Sequence, residues 1–225
     1  MLEYADMDLK SLIEHNPSRA TDRRIYWNKY FMASIVTIPL TVPHGNINPT
    51  NVLIDCTNLT VKLTDLDVVT TPSYMAPELL YDSSVAITPA SDMFSVGCIF
   101  AEMLTRKPLF EAPTKYHEII SISRLMGNFD CYTTTAEPHG NNRRAASEDL
   151  GAKMLNLSSP SSFTERDFSE RLTRNLEKFI PDLRPSGIDL LSRMLNPNPS
   201  KRITVEQALK HPYIKSGIRT NLGSV

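Results

Sequence analysis

From Ser91 to Arg106 the chain reads SDMFSVGCIFAEMLTR, a helical stretch with apolar side chains on nearly every face. Met93, Phe94, Val96, Ile99, Phe100, Met103 and Leu104 do not confine themselves to one stripe. A helix of that kind is stable only when other elements surround it. The rest of the chain must therefore pack around this one, with Ser91 or Asp92 expected as its N-cap. The 225 residues suffice for one large domain with a substantial core.

The flanking elements read as mainly helical. Ile25 to Ile38 has helical spacing and stops at Pro39, while Tyr116–Met126 and Gly187–Leu195 are amphipathic. A last helix opens with the capping box Thr204-x-x-Gln207 and is expected to end at Pro212. Strands are few. NVLID and TVKLTDL, with the turn-like CTN between them, predict a short hairpin. Residues 128–164 are rich in Ser, Thr, Asn, Pro and Gly and read as a surface insertion. The expected organisation is one domain over 1–215 and a tail over 216–225.

Charge excludes some partners. With 24 basic and 25 acidic side chains, no global field attracts nucleic acid or an anionic membrane. Cys56, Cys98 and Cys131 are far apart and odd in number, which predicts neither a disulfide framework nor a zinc site. No run is long and apolar enough for a membrane span, and the first residues lack the pattern of a signal peptide. A cytoplasmic or nuclear location is expected.

The functional question lies in PHGNINPTNVLID, Pro43 to Asp55. Further motifs accompany it in order: MLEYADMDLKSLI before it, then DLD, YMAPELL, SDMFSVGCIFAEMLTRKPLF and RMLNPNPSKRITVEQALKHPYI. Together they resemble the C-terminal lobe of eukaryotic protein kinases, in the cyclin-dependent branch of the CMGC group. HGNINPTN stands where that family has HRDLKPxN, and DLD where it has DFG. The resemblance implies a mainly α, kinase-like C-lobe with a short β-hairpin and no N-terminal lobe. A glycine-rich phosphate loop has no counterpart among the 225 residues.

By the same resemblance, Asn46 replaces the aspartate that accepts the substrate proton, and Asn48 replaces the lysine at the transferred phosphate. A carboxamide has no oxygen basic enough to take a proton at neutral pH, and general-base loss costs about 10²- to 10⁴-fold. Gly45 replaces an arginine that reads a phosphorylated activation segment. Asp67 replaces the DFG glycine, and Met75 an arginine beside the substrate. Twelve residues, Leu66 to Pro77, separate Asp65 from Glu78, a short activation segment. Asn51 and Asp65 match the metal positions. Leu2, Glu3, Ala5, Asp8 and Leu53 match the nucleotide positions. His44, Glu78, Asp92 and Arg202 read as structural: a core histidine, a carboxylate–guanidinium pair, and an aspartate anchoring the loop's backbone.

These substitutions predict a catalytically degenerate, pseudokinase-like domain that acts by binding or scaffolding, with a protein partner over its hinge-side surface and no resident ATP or Mg²⁺. The alternatives are a residual ATP-dependent serine/threonine kinase that needs a separate N-lobe, or a truncated gene product.

Overall fold

The computed structural model describes residues 6–15, 43–55, 60–64, 71–81, 84–111, 114–127 and 165–218. In chain order these form β1 (Met7–Asp8), α1 (Leu9–His15), β2 (Val52–Asp55), β3 (Thr60–Leu63) and a 3₁₀ turn (Pro72–Tyr74). Then follow α2 (Pro77–Tyr81), α3 (Pro89–Thr105), α4 (Lys115–Met126), α5 (Glu165–Phe179), α6 (Pro185–Met194), α7 (Val205–Leu209) and α8 (Pro212–Ile218).

The apolar helix is α3, and every residue from Ser91 to Met103 is buried. Its neighbours include the 3₁₀ turn and α6. The approach to α6 requires Gly97, because a Cβ there would lie 3.0 Å from Met194 Cβ and 3.1 Å from Leu195 Cδ2. Aromatic contacts extend the core: Phe94 stacks on Phe110 and Phe100 tilts against Tyr213. Cys98 is a buried free thiol. Cys56 and Cys131 lie outside the described residues, as do the helix expected over Ile25–Ile38 and the insertion 128–164.

Two helix starts differ from the sequence reading. The N-cap of α3 is Thr88, not Ser91 or Asp92. Its hydroxyl accepts from Ser91 N while Ser91 Oγ accepts from Thr88 N, and Pro89 fills the first turn, where no N–H is needed. Pro212 opens α8 rather than closing α7, for the same reason, and α8 runs through the expected tail boundary to Ile218. The Thr204–Gln207 capping box is formed in both directions.

The hairpin of β2 and β3 is part of a three-stranded antiparallel sheet, ordered β1-β2-β3. Leu53 faces Lys62 on one side and Asp8 on the other. A two-residue strand such as β1 is too short to show any alternation in sequence. No helix among the described residues is long and apolar enough to cross a membrane.

Candidate functional site

The loop Pro43–Asn51 lies between the first turn of α3 and the start of β2. Asp92, almost fully buried, fixes it there: its Oδ2 accepts from His44 N at 2.7 Å and its Oδ1 from Gly45 N at 2.9 Å. Burial pushes the Asp92 carboxyl upward and the two N–H groups pull it back. His44 Nδ1 lies 3.3 Å from the Asn46 N–H, so it accepts, and the Nε2–H donates to Thr64 O at 3.1 Å. His44 thus ties the loop to the end of β3.

Gly45 has φ 79°, in the left-handed region. A Cβ there would come within 2.6 Å of Ile87 Cδ1. A side chain at this position would be strained by the φ and would have to displace the end of the Ile87 side chain.

Asn48 is buried and holds the loop to itself. Its Oδ1 accepts from Thr50 N at 3.0 Å, from Asn51 N at 3.2 Å and from the Thr50 hydroxyl. Its Nδ2 donates to Asn46 Oδ1 at 3.0 Å and to Asn46 O at 3.2 Å. Lysine has three donors and no acceptor, so it could not receive those two backbone N–H groups. In sequence Asn48 reads as a lost cation. In the structure it is an Asx-type staple, and the Asn-Pro-Thr sequence around it is the signal that could have shown this.

Asn51 is also turned inward, its Nδ2 donating to Asn46 O at 3.0 Å. Asp8 Oδ1 caps the first turn of α1 through Ser11 N at 2.7 Å, and Leu53 sits directly across the sheet from it, half-buried. The sheet thus brings two expected nucleotide positions together. Leu2, Glu3, Ala5, Asp65 and Asp67 lie outside the described residues. No group of three or more His, Cys, Asp or Glu side chains suited to a metal occurs among the described residues. Mg²⁺ is held by carboxylates and phosphates in near-octahedral geometry. Of the two family metal positions, Asn51 is the one described, and its amide nitrogen is bonded to the loop; Asp65 lies outside the described residues.

The segment after the loop is clamped from below. Tyr74 donates its hydroxyl to Glu102 Oε2 at 2.6 Å, and Ser95 Oγ donates to Tyr74 O at 2.7 Å. Met75 is buried in the core and presents no charge. Glu78 meets Arg202 in a bidentate pair, Nη1 to Oε1 and Nη2 to Oε2, both at 2.8 Å. The guanidinium also donates to the carbonyls of Ala90, Asn196 and Pro197 and lies over Phe94 at 5.2 Å. All five of its N–H groups are used, and both partners are buried. Such a fork leaves no buried charge unsatisfied.

Sequence reading missed Glu118. It projects from α4 with no exposure, and neither carboxylate oxygen has a hydrogen-bond partner. Burial pushes its carboxyl up to about 8. It helps hold the protons on Cys98, after burial, and on Tyr74, after burial, the Glu102 carboxylate and Cys98. Nothing in Lys115–Met126 distinguishes Glu118 from the exposed polar residues beside it.

Comparison with known proteins extends these observations. Residues 1–214 match the family described as protein kinase domain. Two curated relatives from Arabidopsis thaliana are mitogen-activated protein kinase 5, 33% identical over 96% of this chain, and mitogen-activated protein kinase 3, 31% identical over 94%. The chain spans 56% and 55% of their respective lengths. A solved structure of a MAP kinase from Leishmania major superposes with a TM-score of 0.70 at 27% identity. That match covers 95% of this chain and 64% of the other. These relatives come from the mitogen-activated branch of the CMGC group.

Proposed function

Because the chain belongs to the protein kinase domain family, we propose that it is a kinase-like domain whose catalytic loop no longer transfers phosphate and which acts by binding. One observation carries this reading. Asn46 and Asn48, at the positions of the family's proton acceptor and phosphate-binding lysine, bond to each other and to the loop's own backbone. Neither can take a proton or offer a cation to developing charge.

The same loss supports two further parts of the proposal. Neither ATP nor Mg²⁺ is a resident ligand, and the partner is a protein on the hinge-side surface, where Met7 is 37% exposed and Leu53 half-buried. A domain of this kind would work in the cytoplasm or nucleus. A second reading, a conditional serine/threonine kinase, draws on the preserved hold of Asp92 on the loop backbone.

Transfer of label from radioactive ATP to a generic serine/threonine substrate, measured with and without a separately supplied kinase N-lobe, separates the two. The purified chain is expected to give no incorporation above a blank. Incorporation that disappears in Asn46→Ala, with contaminating kinases excluded, would favour the conditional kinase and overturn the proposal.

A further inference from the structure

A second surface, sharing no residue with the loop, has the composition of a binding groove. Phe179 ends α5 and stays 38% exposed, although the helix buries Leu172 and Leu176 on its inner side. Two hollows meet at this ring. One, of about 380 Å³, lies between the end of α3 and the α5–α6 connection, floored by Leu104, Ile180, Leu183 and Tyr213. The other, about 480 Å³ and more open, lies between α4 and α5 against Leu125 and Asn175. Asn175 donates to Leu125 O at 2.7 Å, which joins the two helices at that point.

The floor of the first hollow is a built feature. A Cβ on Gly187 would lie 2.5 Å from Leu183 Cδ1 and 2.8 Å from Tyr213 Cε2. Glycine at this position lets Leu183 and Tyr213 sit deep and leaves the space above them. A hollow of this size falls in the range of ligand pockets and can take one or two apolar side chains.

Charge decides the occupant. Lys107 and Arg184 line the first hollow, Arg124 and Lys178 the second, and all four are exposed. None forms an ion pair among the described residues. Asp182 is the one acidic side chain in either lining. The chain as a whole carries 24 basic against 25 acidic groups, so this concentration is local. Four cations around an apolar hollow complement a segment with an apolar anchor and flanking carboxylates.

We propose that the groove around Phe179 is a docking site for an acidic linear peptide of a partner protein, with an aromatic or large aliphatic anchor seated over Leu183 and Tyr213. The carboxylates of the peptide face Lys107 and Arg184, and a longer segment reaches Arg124 and Lys178.

The test is selection of phage-displayed random 12-residue peptides on the full chain, followed by fluorescence polarisation of the synthesised winners. Winners are expected to combine Asp or Glu with Phe, Trp, Leu or Met. They should lose at least tenfold in affinity towards Lys107→Glu/Arg184→Glu and towards Phe179→Ala, and weaken as salt rises. Arg184 makes no side-chain cap to α6, so its replacement leaves the helix start intact, and melting of each variant checks its fold. If one variant does not fold, the other decides. No enrichment, winners without acidic residues, or winners that bind both variants as tightly would overturn the proposal. Sedimentation with phosphatidylserine vesicles that depends on the same four cations, without peptide enrichment, would replace it with a lipid surface.

Discussion

The catalytic-type loop and the clamp behind it hold their backbones by opposite means. In the loop, neutral amides do the work: Asn48 receives two backbone N–H groups and gives its own to Asn46. In the clamp, Glu78 and Arg202 form a buried, fully bonded ion pair, and Asp92 carries charge from α3 to the loop's first residues. Charge persists where it braces the fold. In the proposed reading, it is missing at Asn46 and Asn48, where it would act on a substrate. The side chains at those loop positions are directed to the loop itself, which makes the substitutions a coherent set of structural contacts.

The clamp gives the largest expected effect. Arg202→Ala leaves Glu78 buried without a partner, a loss of about 3–5 kcal/mol. That is a large share of the roughly 5–15 kcal/mol typical of a domain. Chemical denaturation should show a sharply lowered midpoint; a variant that unfolds like the parent would break the contrast.

Glu118 sharpens it from the other side, as a buried carboxylate with no brace to make. Its folded value of about 8 exceeds the unfolded 4.5, so the folded state holds a proton that the unfolded state releases. Its contribution is fully present below pH 4.5 and is lost as pH rises towards 8. Between parent and Glu118→Gln, the stability difference should move in the variant's favour by about 3 kcal/mol from pH 4.5 to pH 7. Parallel pH profiles would show that Glu118 finds a partner after all.

Asp92→Ala removes the link between the two regions and orphans the N–H groups of His44 and Gly45. A cost of about 2–3 kcal/mol is expected in denaturant unfolding, and an unchanged midpoint would mean that the loop is held elsewhere. The smallest effect belongs to Asn46→Asp, under about 1 kcal/mol, because Asn48 Nδ2 can donate to a carboxylate as well as to an amide. A larger loss in melting would make Asn46 a structural residue in its own right.

Much of this frame was legible in the sequence because it rests on strong, local or long-lived patterns. Apolar residues on all faces mark α3 as central, and the Thr204–Gln207 spacing marks the start of α7. Glu78 and Arg202 are 124 positions apart, so only the resemblance to kinases could join them. Other features depend on where a side chain turns. Asn48 reads as an absence until its oxygen is seen facing two backbone donors, and Glu118 reads as one more polar helix residue until its burial is seen. Gly45 reads as a lost arginine, and only the structure shows its positive φ, which favours glycine.

Restoring the family's lysine tests the central claim most directly. If Asn48 is the loop's staple, Asn48→Lys takes the acceptor from Thr50 N and the Thr50 hydroxyl and leaves Asn51 N only its backbone bond to residue 48 O. Its unfolding free energy should then fall by about 1 kcal/mol below the parent's. An Asn48→Lys chain as stable as the parent would contradict the account, because the loop would then be free to carry the lysine and its asparagine would not be holding it.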